Sequence, residues 1–164
     1  MITKTIQDAL NEQIRAELNS SYAYLGMSTH CELHNFHGAA KWLRLQSEEE
    51  YRHGMRIVDF MLARDCQVEL RALDGAVVEF ESLLAIFETA LKQEEEVSRR
   101  IDDIYVKAFD EKSFATLIEM QWFLTEQVRE ERAARNIVHK LQLVRDDPAA
   151  LLEIDRELGQ RGTA

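Results

Sequence analysis

The chain has 164 residues, with 30 acidic and 20 basic side chains and a formal net charge of −10. This acidic balance argues against nucleic acid or an anionic membrane as the main partner. No stretch is long and apolar enough to span a membrane, and the N-terminus lacks the apolar core of a signal peptide. We therefore expect one domain over residues 1–164 and a cytoplasmic protein.

The composition and the spacing of apolar residues predict an all-α fold. The chain has only one proline and six glycines, and apolar residues recur at three- and four-residue steps, the period of an amphipathic helix. We expect helices at about 6–33, 39–65, 82–109, 111–144 and 148–158. For their starts we expect a capping box at Thr5 and Asp8, an N-cap at Asp110, and Asp147 followed by Pro148. The segment 34–38 is expected to be a turn, and the tail after Leu158 to be frayed.

The connection between the second and third helices, residues 66–81, is unusually long. It contains an Asp74-Gly75 turn signal and no helical period. Helical hairpins normally use about two to eight linking residues, whereas this segment could span about 50 Å when extended. The second helix is only about 40 Å long. We therefore predict a crossover that makes the second and third helices parallel, as in four-helix bundles with one long connection.

Each of the four long helices places polar side chains in the middle of its apolar stripe. In chain order they are Glu17 with Tyr24, Glu50 with His53, Glu94, and Gln127 with Glu130. The predicted topology brings these positions to one level of the bundle. Several carboxylates buried together need compensating cations, and a carboxylate-rich set with one histidine suits iron or manganese. Glu-x-x-His is also the spacing of di-iron bundles, so we predict a two-metal site with Glu50 as the bridge.

The same residue types have ordinary interpretations when each is considered alone. An acidic run such as 48–50 is usually a solvated helix face, and a lone His53 is usually a hydrogen-bonded core residue. The coincidence of interruptions on four helices favours the metal site over these interpretations. His30, His34 and His37 have metal-compatible spacing, but exposed turn histidines are the default interpretation.

Over nearly its whole length the chain resembles the bacterial non-haem ferritins. The resemblance lies in the long crossover, the short last helix and the residues Glu17, Tyr24, Glu50-x-x-His53, Glu94 and Glu126-Gln127…Glu130. It implies a ferritin-like four-helix bundle that oxidises Fe²⁺ with O₂ or H₂O₂ and stores Fe³⁺ as mineral. The family's storage form is a cage of 24 copies.

The resemblance also implies ligand roles. Glu17 and His53 would hold one iron, Glu94 and Glu130 the second, and Glu50 would bridge them. Gln127 would bind iron weakly or contact a ligand from outside. Tyr24 would hydrogen-bond near the site and could donate an electron.

A third iron is implied beside the pair, at Glu49, Glu126 and Glu130. Arg129 stands where the family places another carboxylate, which weakens this expectation. Haem is not expected, because the fourth helix lacks the Glu-x-x-His pair of the haem-binding branch and Arg52 occupies the position of its haem methionine.

Three alternatives remain beside this resemblance. A rubrerythrin-like peroxidase or small oxidase uses the same bundle, but rubrerythrins usually add a four-cysteine module and this chain has only Cys31 and Cys66. A DNA-protecting mini-ferritin builds its site between subunits and has its short helix inside the crossover. A metal-free helical interaction protein would be unharmed or stabilised by alanine at Glu17, Glu50 or His53.

Overall fold

The chain forms a four-helix bundle with a short fifth helix. The computed structural model describes residues 2–145 and 147–162. The helices are α1 (Lys4–Leu33), α2 (His37–Ala63), α3 (Leu83–Asp110), α4 (Phe114–Val144) and α5 (Pro148–Leu158). The predicted all-α class, four long helices and short last helix are confirmed, and none of the described helices is long and apolar enough to cross a membrane.

Residues 64–82 run back along α1 in an extended conformation. Near the start of α1, the Asn11 side chain accepts a hydrogen bond from the backbone N–H of Glu69 at 2.8 Å. Near its end, Gly26 lies so close that a Cβ atom there would be 2.5 Å from the carbonyl oxygen of Val77. The connection therefore crosses the length of α1 and makes α2 and α3 parallel. It contains no helix, unlike the mini-ferritin arrangement.

The buried apolar side chains form two clusters at the two ends of the bundle. One includes Tyr24, Leu43 and Phe87, together with α5 residues. The other surrounds Ile14 and Phe123. Between them, each long helix contributes buried polar residues, so the predicted polar level is a structural layer of the bundle.

Two predicted helix starts were wrong. The first helix begins at Lys4 because the Thr3 side chain, not Thr5, caps it by accepting a hydrogen bond from the N–H of Ile6. Asp110 is the last residue of α3, and Ser113 occupies the N-cap position of α4. Between them Lys112 adopts a left-handed conformation with φ 54°, a common way to end a helix without glycine.

The start of α2 is fixed by α5. Gly38 belongs to α2 rather than to the preceding turn, and a Cβ atom there would lie 1.7 Å from the carbonyl oxygen of Asp155. The Asp155 carboxylate accepts hydrogen bonds from the N–H groups of Gly38 and Ala39 at 3.2 and 2.8 Å. The first N–H groups of a helix have no acceptor within the helix, so Asp155 supplies one. Asp147 caps α5 as predicted.

Candidate metal centre

The residues predicted to form the site converge in the polar layer. They come from all four long helices, and every one of them is buried: Glu17, Tyr24, Glu50, His53, Glu94, Gln127 and Glu130. Each lies near the middle of its helix, where the packing of the two apolar clusters directs it inward. The bundle topology therefore places these residues together although they are separated by as much as 113 positions in sequence.

Three ligand atoms at the centre lack hydrogen-bond partners. Among the described residues, the buried side-chain nitrogen and oxygen atoms without a partner are Oε2 of Glu17, Oε2 of Glu50 and Nδ1 of His53. The imidazole Nδ1 lies 4.0 Å from the first oxygen and 3.7 Å from the second. All three residues offer ligand atoms within 4.8 Å of one another. Buried groups of this kind are normally paired, and a cation would pair all three.

The second oxygen of each of these two glutamates is held by a glutamine. Gln13 donates to Oε1 of Glu17 at 2.8 Å, and Gln46 donates to Oε1 of Glu50 at 3.1 Å. These contacts leave Oε2 of each carboxylate directed at the centre. Outer-shell hydrogen bonds of this type orient metal ligands.

Glu94 and Glu130 supply the remaining buried carboxylates of the layer. The phenol of Tyr24 donates to Oε1 of Glu94, and the amide nitrogen of Gln127 lies 3.2 Å from its Oε2. Gln46 donates to Oε2 of Glu130 at 2.7 Å. Tyr24 and Gln127 therefore act here as donors that hold Glu94.

The proximity of these carboxylates raises their pKa values. Burial, and then the charge of Glu50, raise the pKa values of Glu17 and Glu94 well above the ordinary range. The same two causes raise the pKa of Glu130 to about 7. Burial lowers the pKa of His53, but the nearby carboxylates, that of Glu50 first, outweigh burial, so this pKa is raised. A bound divalent cation would favour the ionised form of each carboxylate and so oppose this rise in pKa.

Two of the three residues implied for a third iron have counter-ions from the chain itself. Glu49 forms an ion pair with Arg161, and Glu126 forms one with Arg129 at 2.9 Å. Glu126 still has a carboxylate oxygen within 4.8 Å of ligand atoms of His53 and Glu130. This group is therefore compatible with a cation only in competition with arginine.

The three histidines near the first turn do not form a ligand cluster. His30 and His34 stack with ring centroids 4.1 Å apart, and each directs Nδ1 at a backbone carbonyl oxygen. His37 instead pairs with Glu32 at 3.0 Å. The default interpretation of these residues as turn histidines fits these contacts.

Several residues that organise the site were not assigned a role from the sequence. Gln46 lies on the inward stripe of α2, and this position was a usable signal. Gln13 and Arg161 gave no such signal, because their roles depend on side-chain contacts across the fold. For the described part of the tail, residues 159–162, the prediction of fraying was also wrong, since Arg161 is held by contacts with α2. Residues 163–164 of that prediction lie outside the described residues.

The fold and the site define a four-helix-bundle protein with a buried, carboxylate-rich metal centre. A family model described as the ferritin-like domain matches residues 7–144. The chain belongs to the ferritin family.

Individual relatives agree with this assignment. The chain is 34% identical to the bacterial non-heme ferritin of Staphylococcus aureus over 161 residues, which cover 98% of this chain and 97% of that protein. It is 32% identical to the corresponding ferritin of Staphylococcus haemolyticus, with the same coverage. The predicted resemblance, and with it the prediction of an iron-storage protein, is confirmed.

Solved structures place the chain in the same fold. An engineered closed form of the Archaeoglobus fulgidus ferritin superposes with a TM-score of 0.97, at 40% identity and with 100% of both chains covered. The open-pore ferritin of the same archaeon gives a TM-score of 0.97 and 40% identity, covering 99% of this chain and 100% of that one. These values extend the similarity to α5 and the tail, which lie outside the family model.

Proposed function

We propose that the protein is a ferroxidase that binds two Fe²⁺ ions between its four long helices and oxidises them with O₂. The observation that carries this proposal is the convergence of three buried, unpartnered ligand atoms from Glu17, Glu50 and His53. A metal-free helical protein would have to leave these groups unsatisfied. Fe²⁺ is the substrate, and the mineralised Fe³⁺ is the stored product.

The ligands divide into two sets that share Glu50. Glu17, Glu50 and His53 would hold the first ion, and the carboxylates of Glu50, Glu94 and Glu130 the second. Gln127, whose amide nitrogen faces Glu94, would support the second ion by orienting that carboxylate rather than by binding strongly.

Carboxylate ligands favour the oxidised metal. Hard, negatively charged oxygen donors stabilise Fe³⁺ more than Fe²⁺. Each Fe²⁺ loses one electron, and O₂ accepts both electrons and is reduced to the peroxide level. Binding displaces the protons that Glu17, Glu94 and Glu130 retain, since their pKa values are raised.

Tyr24 is the proposed redox-active neighbour. Burial, and then the charge of Glu94, raise the pKa of its phenol well above the ordinary value. The phenol therefore stays protonated and keeps donating to Glu94. This placement would allow it to supply an electron to the oxidised centre.

His53 connects the centre with the protein surface. It lies on the wall of an open groove of about 800 Å³, whose lining also includes Glu49, Asp59 and Glu119. Trp122 packs edge-on against the imidazole with centroids 5.3 Å apart. Three arginines, Arg52, Arg56 and Arg129, also line this groove, so its charge is mixed. We propose the groove as a path for iron to or from the centre.

We propose that the subunits assemble into a 24-subunit cage, as the family resemblance implies. Several large apolar side chains are more than two-thirds exposed on the isolated chain: Phe109, Phe114, Ile118, Val128 and Leu143. Neighbouring subunits would cover such surfaces. Inside the cage, Fe³⁺ leaving the centre would collect as mineral.

Anaerobic titration with Fe²⁺, followed by O₂ and combined with native mass measurement, tests this function. We expect two high-affinity Fe²⁺ per subunit, a transient absorbance change on oxidation and the mass of a 24-subunit assembly. A protein that binds no Fe²⁺, or that leaves it reduced under O₂, would contradict the ferroxidase proposal. A smaller assembly with normal oxidation would contradict only the cage.

A further inference from the structure

We infer that Arg161, in the tail after α5, is a positioning residue for the metal centre that acts through Gln46 on Glu50 and Glu130. This inference rests on the proposed function, because it concerns the geometry of the same site. It adds a residue from the end of the chain, outside the four helices that supply the ligands.

The guanidinium of Arg161 is held on several sides. Nη1 donates to Oε1 of Gln46 at 2.8 Å and contacts the backbone oxygen of Trp42 at 3.4 Å. Nη2 pairs with Glu49, and the guanidinium carbon lies 4.6 Å from the centre of the Trp42 ring. A planar guanidinium with stacking and charged partners has few alternative positions.

Arg161 determines which way the amide of Gln46 points. An arginine side chain has donors and no acceptor, so only the amide oxygen of Gln46 can face it. The NH₂ group must then point away from Arg161. It points at Oε1 of Glu50, 3.1 Å away, and at Oε2 of Glu130, 2.7 Å away.

One fixed amide group therefore connects a carboxylate on α2 with a carboxylate on α4. Gln46 is completely buried, and its two N–H bonds match the two carboxylate oxygens. Without Arg161, Oε1 of Gln46 would be a buried acceptor that has lost its donor, which disfavours this orientation. Glu50 and Glu130 would then lose a shared restraint.

The path of the tail explains how a residue so late in the chain reaches the site. Asp155 binds the first turn of α2, and the Lys41 ammonium donates to the carbonyl oxygen of Gly159 at 2.9 Å. These contacts direct the tail along α2 towards Gln46. Arg161 thus reaches Gln46, one turn before Glu50 on the same helix.

Co²⁺ binding to the full-length protein tests the inference without any redox step. We expect the wild type to bind two Co²⁺ per subunit. Arg161→Ala should weaken one of the two sites by about tenfold, the lower end of what outer-shell changes cost, and should alter the visible absorption of bound Co²⁺. Arg161→Lys should recover part of the affinity, because lysine restores a charged donor without the guanidinium geometry.

Arg156→Ala is the matched control. Arg156 lies on α5 and forms an exposed ion pair with Glu153 at the surface, so its loss should leave both Co²⁺ sites unchanged. Native mass and thermal unfolding of each variant show whether folding is intact. Wild-type affinity and absorption in folded Arg161→Ala would overturn the inference. If that variant does not fold, Arg161→Met keeps the apolar stem and removes the donors, and wild-type affinity and absorption in Arg161→Met would overturn it.

The Gln46→Ala background separates the relay from a simple charge effect. If Arg161 acts through Gln46, Arg161→Ala should have little further effect once Gln46 is absent. A full tenfold loss in that background would mean that the charge of Arg161 acts directly, and the relay would be wrong. Failure of the wild type to bind Co²⁺ or Fe²⁺ would instead contradict the proposed function.

Discussion

Two neighbouring groups of acidic side chains differ in how their charge is balanced. Glu17 and Glu50 are completely buried, and His53 is the basic residue within ion-pair distance of both. Glu49 and Glu126 lie closer to the surface, and each pairs with an arginine. Buried carboxylates without partners need an external cation to balance their charge. A carboxylate paired with arginine is already balanced by a cation of the protein itself. This difference separates the proposed di-iron centre from the implied third site.

Removing the shared ligand of the first group should have the largest effect. Glu50→Ala takes one carboxylate from both proposed iron positions, so we expect fast Fe²⁺ oxidation to fall by about 100-fold or more. The measurement is the initial rate of oxidation after mixing with O₂. Glu48→Ala is the control, because Glu48 is exposed on the same helix. Wild-type rates in Glu50→Ala would show that the bridging assignment is wrong.

Glu130 belongs to the same buried carboxylate layer as the first group, and its titration should make the stability of the metal-free protein depend on pH. The pKa of Glu130 is raised to about 7 from 4.5. The folded state therefore binds a proton at Glu130 more tightly than the unfolded chain does. The stability that this proton contributes to the fold is lost as pH rises from about 4.5 to about 7. Across this pH window, the free energy of unfolding of the metal-free wild type should fall by on the order of 3 kcal/mol relative to that of Glu130→Gln.

Denaturant unfolding of both metal-free proteins at several pH values measures this difference. Glu130→Gln serves as the reference because its side chain does not titrate. Loading with Co²⁺ should abolish the loss, since the cation replaces the proton as the partner of the carboxylates. Parallel pH profiles of wild type and Glu130→Gln would contradict the prediction.

The smallest expected effect is the gain of a weak site in the second group. Arg129→Glu removes the counter-ion of Glu126 and adds a carboxylate beside Glu130. The second group should then need an external cation, as the first group does. We expect a third Fe²⁺ per subunit, bound about tenfold more weakly than the first two. Arg129→Gln is the control, because it removes the charge without adding a ligand. Unchanged stoichiometry in Arg129→Glu would show that Arg129 does not keep a third ion out.

The sequence predicted the features that depend on long regular patterns. The four apolar stripes predicted the helices, their central interruptions predicted the buried polar layer, and the length of the connection at 66–81 predicted the parallel pairing of α2 and α3. Helix ends were less predictable. Asp110 has good capping chemistry, but α3 continues through it and the chain turns at Lys112 instead.

The supporting contacts of the site were the least predictable part. The roles of Gln13 and Arg161 depend on which side chains meet across the bundle, and no periodic pattern contains that information. Gln46 is intermediate, because its place on the inward stripe was visible but its two carboxylate partners were not. The counter-ion of Glu49 was likewise missed, since it comes from a tail expected to be frayed.

The crossover along α1 has a consequence for how the protein folds. It joins two helical hairpins, α1–α2 and α3–α4, each of which forms mainly local contacts and should form early. Glu17, Glu50 and His53 belong to the first hairpin, and Glu94 and Glu130 to the second. The carboxylates of Glu17 and Glu50 therefore meet within the first hairpin, and those of Glu94 and Glu130 join them when the hairpins dock. We therefore expect docking to bring the carboxylates of the two hairpins together most readily when protons or metal ions balance their charge.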